Sequence, residues 1–354
     1  SLHDALPISI QIGMKLNMQR VQGISDSIRS DIKRFIDSIR SPYGHTYCDF
    51  SERTTEKKII LKISYPRFFA GINVFLITNR MECMQVQHEF SLVINNHPLL
   101  YDAEIKLDRV DIPFTFHMNP GYNFNSYRKI YQIFDYVYRK KYAKASPTAI
   151  TDIKRFKAET MVYSDTPSTR AYNSKIMIYD QYKNISTKTK DESNFCEIDA
   201  KYDDLSRRMR IEVSKRIVRK EMPLEGFRQF DIFAEYFGQY KKYILEKILD
   251  LYEVENFYNE KAQELSNKLT VYRDEVHFFN YENFIYKEIE HIYDYEIIRR
   301  ALKLCIENQK TREKAVTAIR KVLFNYQLNE NIIIMETYNT ILSIKNVIEN
   351  YFIG

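Results

Sequence analysis

Leu107–His117 reads LDRVDIPFTFH. Successive side chains of a strand point to opposite faces, so residues two apart share a face. Val110, Ile112, Phe114 and Phe116 then form a core face, and Arg109, Asp111, Thr115 and His117 lie on the other. Working outward, the same rhythm returns. In Arg208–Arg216, Arg210 and Glu212 oppose Met209, Ile211 and Val213. In Phe156–Tyr163, Lys157 and Glu159 oppose Ala158, Thr160 and Val162. Three strands thus repeat a basic-x-acidic pair on their non-core side. In Lys175–Tyr182 the same parity groups Lys175, Met177, Tyr179 and Gln181, with Tyr182 on the opposite side.

If these strands share one antiparallel sheet, its open face collects Asp111, Glu159 and Glu212 among Arg109, Lys157, Lys175 and Arg210. Carboxylate oxygens suit a hard cation such as Mg²⁺ or Mn²⁺. The basic neighbours suit phosphate, and a tyrosine on the same face is a potential nucleophile toward phosphorus. A solvated sheet face laced with cross-strand ion pairs accounts for the same alternation. His117 sits six residues beyond Asp111, about 20 Å along a straight strand, too far to share a metal with it. The seven histidines include no His-x-His pair, and no Walker A loop, GxSxG or HExxH motif is present.

Further strands are expected at Ile10–Leu16, Tyr43–Phe50 and Lys57–Ile63, with Pro66 as a breaker and Gly71 as a turn. Helical spacing marks Ser25–Arg40, Met84–Asn95 and Asn125–Tyr142. After Pro223 the character changes: no proline follows, and long helical periodicities such as FAEYFGQYKKYILEKILDLY dominate. The expected fold is α+β, an antiparallel sheet with helices packed on one face, followed by an all-helical C-terminal domain. The division is residues 10–223 and 224–354. Residues 1–9 (SLHDALPIS) are expected to be a non-native scar, with the native start missing.

The chain has 354 residues, enough for about two domains. At 44% hydrophobic, it excludes general disorder. Its net charge of +6 is unevenly spread. Residues 121–190 carry 14 basic and 5 acidic side chains, and residues 225–354 carry 17 and 21. The basic stretch is interleaved with Tyr127, Tyr131, Tyr136, Tyr138, Tyr142, Tyr163, Tyr172, Tyr179 and Tyr182. Cations neutralise phosphates and aromatic faces stack on unpaired bases; a solvated helix face over core tyrosines is the competing account. The four cysteines form no CxxC pair, no transmembrane stretch is present, and a reduced, cytoplasmic protein is expected.

Four stretches together resemble replication initiators of the filamentous-phage gene II type, and more distantly plasmid rolling-circle initiators. They are KISYPRFFAGINVF (Lys62–Phe75), RVDIPFTF (Arg109–Phe116), AETMVYSDTPSTRAYNSKIMIYDQYKNI (Ala158–Ile185) and MRIEV (Met209–Val213). The resemblance spans roughly residues 10–220. It implies a replication-initiator nicking domain that cuts an origin strand, forms a 5′-phosphotyrosine link and leaves a free 3′-OH primer. It implies Tyr179 as nucleophile, Asp111 and Glu159 as metal-site carboxylates, Glu212 as a third, and Arg109 and Arg210 as holders of phosphate or of the carboxylates. The implied cofactor is Mg²⁺ or Mn²⁺. The implied partners are single-stranded or origin DNA, with host helicase and polymerase, and no membrane.

Two positions depart from the family pattern. Ile72 stands where its Gly-His-Asn turn has histidine, between Gly71 and Asn73. Gln181 stands where a lysine is expected two residues after the tyrosine; strand parity offers Lys183 as its substitute and leaves Tyr182 as the alternative nucleophile. The helical part would serve origin recognition, dimerisation or host-factor contact. A non-enzymatic DNA-binding or copy-control protein on the same fold, and a metal phosphodiesterase that activates water, are the other readings.

Overall fold

The computed structural model describes residues 9–16, 26–53, 58–74, 77, 80–142, 160–164, 174–189, 192–217, 232–276 and 280–351. Its elements begin with β1 (Ser9–Lys15), α1 (Asp26–Ser38), β2 (Cys48–Arg53), β3 (Lys58–Ser64), α2 (Tyr65–Ala70) and α3 (Arg80–Asn95). Then come β4 (Glu104–His117), α4 (Arg128–Tyr142), β5 (Thr160–Ser164), β6 (Ser174–Asp180), α5 (Gln181–Lys188), α6 (Glu192–Lys201) and β7 (Arg208–Arg216). The remainder is helical: α7 (Ile232–Lys247), α8 (Leu251–Glu275), α9 (Tyr281–Glu288), α10 (Tyr295–Cys305), α11 (Gln309–Glu330) and α12 (Thr337–Asn350). The protein is α+β. Among the described residues no helix is long and apolar enough to cross a membrane.

The chain forms two compact units. One comprises Ser1–Phe116, Lys154–Lys242 and Asn350–Gly354; the other comprises His117–Ile153 and Tyr243–Glu349. The change of character at Pro223 predicts a single border there, whereas α4 groups with the later helices. Residues 218–231 around that border lie outside the described residues.

The sheet unit holds seven strands in the order β2-β3-β1-β4-β7-β6-β5. The β2–β3, β3–β1, β1–β4, β7–β6 and β6–β5 pairs are antiparallel. Ser9 stands opposite Asp111, Tyr179 opposite Arg210 and Met177 opposite Glu212. The hydrophobic alternation builds one core face, with Val110, Ile112, Phe114, Ile176, Ile178 and Ile211 buried. Ser9 belongs to β1, so the expectation that the stretch through residue 9 stands outside the fold does not hold for it; residues 1–8 lie outside the described residues.

The expected open face does not exist at β4. Asp111 is 3% exposed and Thr115 is 4% exposed, so both faces of the strand are covered. On the Phe114 side, Phe237 of α7 and Tyr351 approach Phe114 with ring centroids 5.8 and 5.4 Å away. The Tyr351 hydroxyl also donates to Thr115 O and accepts from Thr115 N, both at 2.9 Å. On the Asp111 side, the turn after α2 and the start of α5 lie over the sheet. Helices on one face only was therefore too simple: the covering segments come from far along the chain.

Three local signals shape that cover. Pro66 does not merely end β3; it opens α2, where its fixed φ and missing N–H cost nothing. Gly71 ends α2 in the left-handed region at φ 74°, with its N–H on Arg67 O at 2.9 Å. β6 stops at Asp180, whose carboxylate accepts the Lys183 N–H at 3.1 Å and caps α5. Gln181, Tyr182 and Lys183 are therefore helical, and the strand parity extended to them fails.

The helical unit packs α8 against α10 and α4, and α11 against α9 and α10. Asp294 is 2% exposed; it caps α10 and also accepts the Tyr258 O–H and the Tyr338 N–H, both at 2.7 Å. In α4 and the turn before it, Tyr127, Tyr131 and Tyr138 are buried core side chains, and Tyr136 packs edge-on against Phe257. In the sheet unit, Tyr163 is fully buried. These rings do not form a base-stacking platform. Three cations of α4 are met by acids: Arg139 pairs with Asp135, Lys140 with Glu260 and Lys141 with Asp250.

Candidate active site

The Asp111 face of the sheet carries a buried polar network. Asp111 accepts the Ser9 hydroxyl at 2.6 Å, the Ser214 hydroxyl at 2.5 Å and Arg109 Nη2 at 3.0 Å. Register explains the convergence: Ser9 is cross-strand from Asp111 on β1, and Ser214 comes from β7 on the other side of β4. Neither serine stood out in the sequence, because a short hydroxyl in a strand gives no signal until its cross-strand partner is known.

One β7 pleat along is Glu212, whose Oε2 accepts the Tyr179 hydroxyl at 3.1 Å. Burial raises the Glu212 carboxyl above its ordinary value, and the neighbouring Asp111 charge raises it further. Lys62, Lys175 and the Tyr179 hydrogen bond pull it back. The Tyr179 phenol is pushed well up, first by burial and then by the Glu212 charge, while Arg210 opposes the shift.

Arg210, cross-strand from Tyr179, is fully buried. Its Nε donates to Gln181 Oε1 at 2.9 Å, and Gln181 Nε2 donates to Asn73 O and Val74 O, each at 3.1 Å. Gln181 thus ties the turn after α2 to the guanidinium. A lysine at 181 would offer no acceptor to Arg210 Nε. Among the described residues, Arg210 Nη1 and Nη2 have no hydrogen-bond partner.

The other expected site residues are placed as follows. Arg109 is half-buried in its ion pair with Asp111. Lys175 is half-buried on β6, and its charge reaches Glu212. Lys183 is exposed on α5 rather than on the Tyr179 face of β6, because the Asp180 cap starts the helix two residues earlier. Tyr182 packs on Phe195 at 5.1 Å, in an apolar cluster with Val74, Ile185 and Leu205. Lys157 and Glu159 lie outside the described residues. Ile72 joins that apolar cluster and also lines a cavity.

That cavity, about 430 Å³, opens beside the network; Ser9 belongs to both. Lys62, Arg67 and Lys188 line it, with Asp49. As for a metal, Mg²⁺ is commonly held by one or two carboxylates plus substrate phosphate oxygens. Asp111 and Glu212 supply that number, flanked by the hydroxyl oxygens of Ser9, Ser214 and Tyr179, so the all-oxygen donor set fits a hard cation. Among the described residues no third His, Cys, Asp or Glu completes a cluster with them. No protein-family model, curated protein or solved structure matches the chain.

Proposed function

We propose that the protein is a rolling-circle replication initiator, a DNA-nicking and strand-transferring enzyme with Tyr179 as nucleophile. The observation that carries the reading is the Tyr179–Glu212 hydrogen bond, set on the same sheet face as Asp111 and Arg210. A phenol is a poor nucleophile until it loses its proton. Glu212 is placed to accept that proton, and its raised carboxyl makes it a stronger base than an exposed glutamate. Arg210 is placed to stabilise the phenolate.

The phenolate oxygen would attack the scissile phosphorus. An O–P bond forms to Tyr179, the P–O3′ bond breaks, and the departing 3′ oxygen takes up a proton to become the primer hydroxyl. One phosphodiester bond replaces another, so no nucleotide cofactor is needed. A later 3′-hydroxyl attacking the phosphotyrosine reverses the exchange and releases a joined strand. Asp111, together with phosphate oxygens of the strand, would hold a divalent ion, which supplies charge neutralisation at the phosphate and leaves Glu212 as the base. Host polymerase would extend the primer, and the helical unit would contact the origin or a host helicase.

The test is a covalent-adduct assay on the full chain with Mn²⁺ and single-stranded oligonucleotides spanning the gene's own neighbourhood. Denaturing gels and peptide mapping read the product. An adduct on Tyr179 is expected. An adduct on Tyr182 moves the nucleophile to the α5 cluster, and cleavage without an adduct moves the reaction to hydrolysis.

A second reading is favoured by one observation: Tyr179 is only 7% exposed. A DNA-binding or copy-control protein on this fold would keep such a tyrosine as a core residue. It would bind the oligonucleotides and give neither cleavage nor adduct.

A further inference from the structure

The 430 Å³ cavity is lined by cations from three elements, Lys62 of β3, Arg67 of α2 and Lys188 of α5. Arg67 is matched: its Nη1 donates to Asp49 Oδ2 at 2.7 Å and its Nε to Thr46 O at 3.1 Å. Lys62 and Lys188 have no ion-pair partner among the described residues. Like charges gathered around a hollow raise one another's cost. The Lys188 ammonium is accordingly lowered from its ordinary value, first by burial and then by Lys62 and Arg67, with Glu212 opposing. An arrangement of this kind is relieved by an anion in the hollow.

The walls narrow the class of anion. A volume of this size falls within the range of small-ligand sites, about 300–1,000 Å³, and is larger than a bare inorganic ion requires. Ile72 and Ile185 give one wall an apolar surface, while Ser64 and Asn73 offer hydrogen-bonding groups. A phosphate for the cations, with a sugar and base against the aliphatic wall, uses all of these features. A carboxylate would use only the charge.

We propose that this cavity is a phosphate-binding site that seats one phosphate-bearing nucleotide unit against Lys62 and Lys188. The phosphate belongs either to a DNA strand or to a free nucleotide. The inference rests on the nicking reading only for the first of these sources; the site itself needs no reaction at Tyr179.

The test is calorimetric titration of the full chain with dTMP, with thymidine, and with the octanucleotide (dT)8 at 50 and 200 mM salt, for the parent and for the Lys62→Gln/Lys188→Gln double variant. Both lysines line the cavity and neither belongs to the buried core, so the variant is expected to fold, and thermal melting checks this. Lys33→Gln/Arg34→Gln, on α1 away from the cavity lining, serves as the charge-matched control. The parent is expected to bind dTMP and not thymidine. The double variant is expected to lose at least tenfold in dTMP affinity, and the control none. If the phosphate is that of a strand, the double variant also weakens (dT)8 and lowers its salt slope by about 0.7, the value for one phosphate contact. If it is that of a free nucleotide, (dT)8 is unaffected. Equal binding of thymidine and dTMP, no dTMP binding, or unchanged dTMP binding in a folded double variant overturns the proposal. An adduct on Tyr179 without dTMP binding sinks this site alone; dTMP binding without any adduct sinks the nicking reading alone.

Discussion

The Tyr179 hydroxyl donates to Glu212 Oε2 at 3.1 Å, and both side chains stand on the face of the sheet that carries Asp111. If Glu212 takes the phenolic proton, Tyr179→Phe abolishes adduct formation while oligonucleotide binding persists. Glu212→Gln keeps the hydrogen-bonding shape but removes the base. Adduct formation is then expected to fall about 10²–10⁴-fold, the usual range for a general base. The parent rate should rise with pH as Glu212 deprotonates, above the ordinary glutamate range because its carboxyl is raised. That limb should vanish in Glu212→Gln. A pH–rate profile unchanged in shape would remove Glu212 from the role of base.

The same raised carboxyl has a stability consequence of definite sign. The folded state holds the Glu212 proton more tightly than the unfolded chain does. The resulting stabilisation is complete below the unfolded pKa, about 4.3, and is lost as pH rises through the raised folded value, at up to about 1.4 kcal/mol per pH unit. Glu212→Gln carries no such loss. It should match or exceed the parent's melting temperature at pH 7 and lose that advantage near pH 4. A melting difference independent of pH would contradict the assignment.

Arg210 presents the opposite trade. Its guanidinium is fully buried, held through Nε by Gln181, with no hydrogen-bond partner for Nη1 or Nη2 among the described residues. A buried charge carries a desolvation penalty of several kcal/mol, and one whose donors lack acceptors recovers little of it, so a shape-matched apolar chain relieves part of that cost. Leaving Gln181 Oε1 unpaired returns about 1 kcal/mol of that. Arg210→Met is therefore expected to be stabilised by about 1 kcal/mol in urea unfolding and to form adduct at least tenfold more slowly. A strongly destabilised variant would mean that the guanidinium has compensation beyond Gln181.

Gly71 ends α2 at φ 74°, and a Cβ there would lie 2.9 Å from His45 Nδ1. Gly71→Ala combines left-handed strain with that contact. A loss of about 1–2 kcal/mol is expected from urea unfolding. Because Gly71 lines the phosphate cavity, dTMP affinity should fall with it. Gly44, also at positive φ, has nothing within 4 Å of such a Cβ, so Gly44→Ala should cost less. Equal costs at both glycines would show that backbone strain, not the His45 contact, decides.

Much of the sheet was legible because it rests on local alternation. β7 runs Arg208–Arg216, the bounds read from its sequence, and β4 ends at the expected His117 and begins three residues before the expected Leu107. The cover over Asp111 was not legible. A buried polar network uses the same residue types as a solvated face, and its partners are distant: Ser9 and Asp111 are 102 residues apart. Nothing in a two-residue period distinguishes a carboxylate bonded to two serines from one bonded to water. The departure at Lys183 is local. Alternation was carried through Asp180, although an aspartate followed three residues later by a helical N–H is a capping pattern. The interleaved tyrosines mislead differently, since helical spacing that places Tyr131 and Tyr138 on one side of α4, with Tyr127 just before it, serves a core as well as a stacking surface.

In the helical unit, Lys129 is 2% exposed, and its ammonium donates to Ile289 O at 3.1 Å and Glu290 O at 2.9 Å. Burial pushes it down from 10.5 to about 8, with Glu290 opposing and Arg128 adding to the effect. The folded state therefore releases this proton more readily than the unfolded chain. Between about 8 and 10.5 the unfolded chain binds more of it, so stability rises with pH across that window. Below 8 the full cost of keeping the buried charge is present, on the order of 3 kcal/mol, since each tenfold loss of proton affinity is worth about 1.4 kcal/mol. Lys129→Met removes the charge and leaves two carbonyls on half-buried and exposed residues to be met by water. The difference in melting temperature between parent and variant cancels the tyrosine titrations common to both. That difference should move in the parent's favour as pH rises from 7.5 to 10, and a pH-independent difference would mean that the two carbonyl hydrogen bonds hold Lys129 charged throughout.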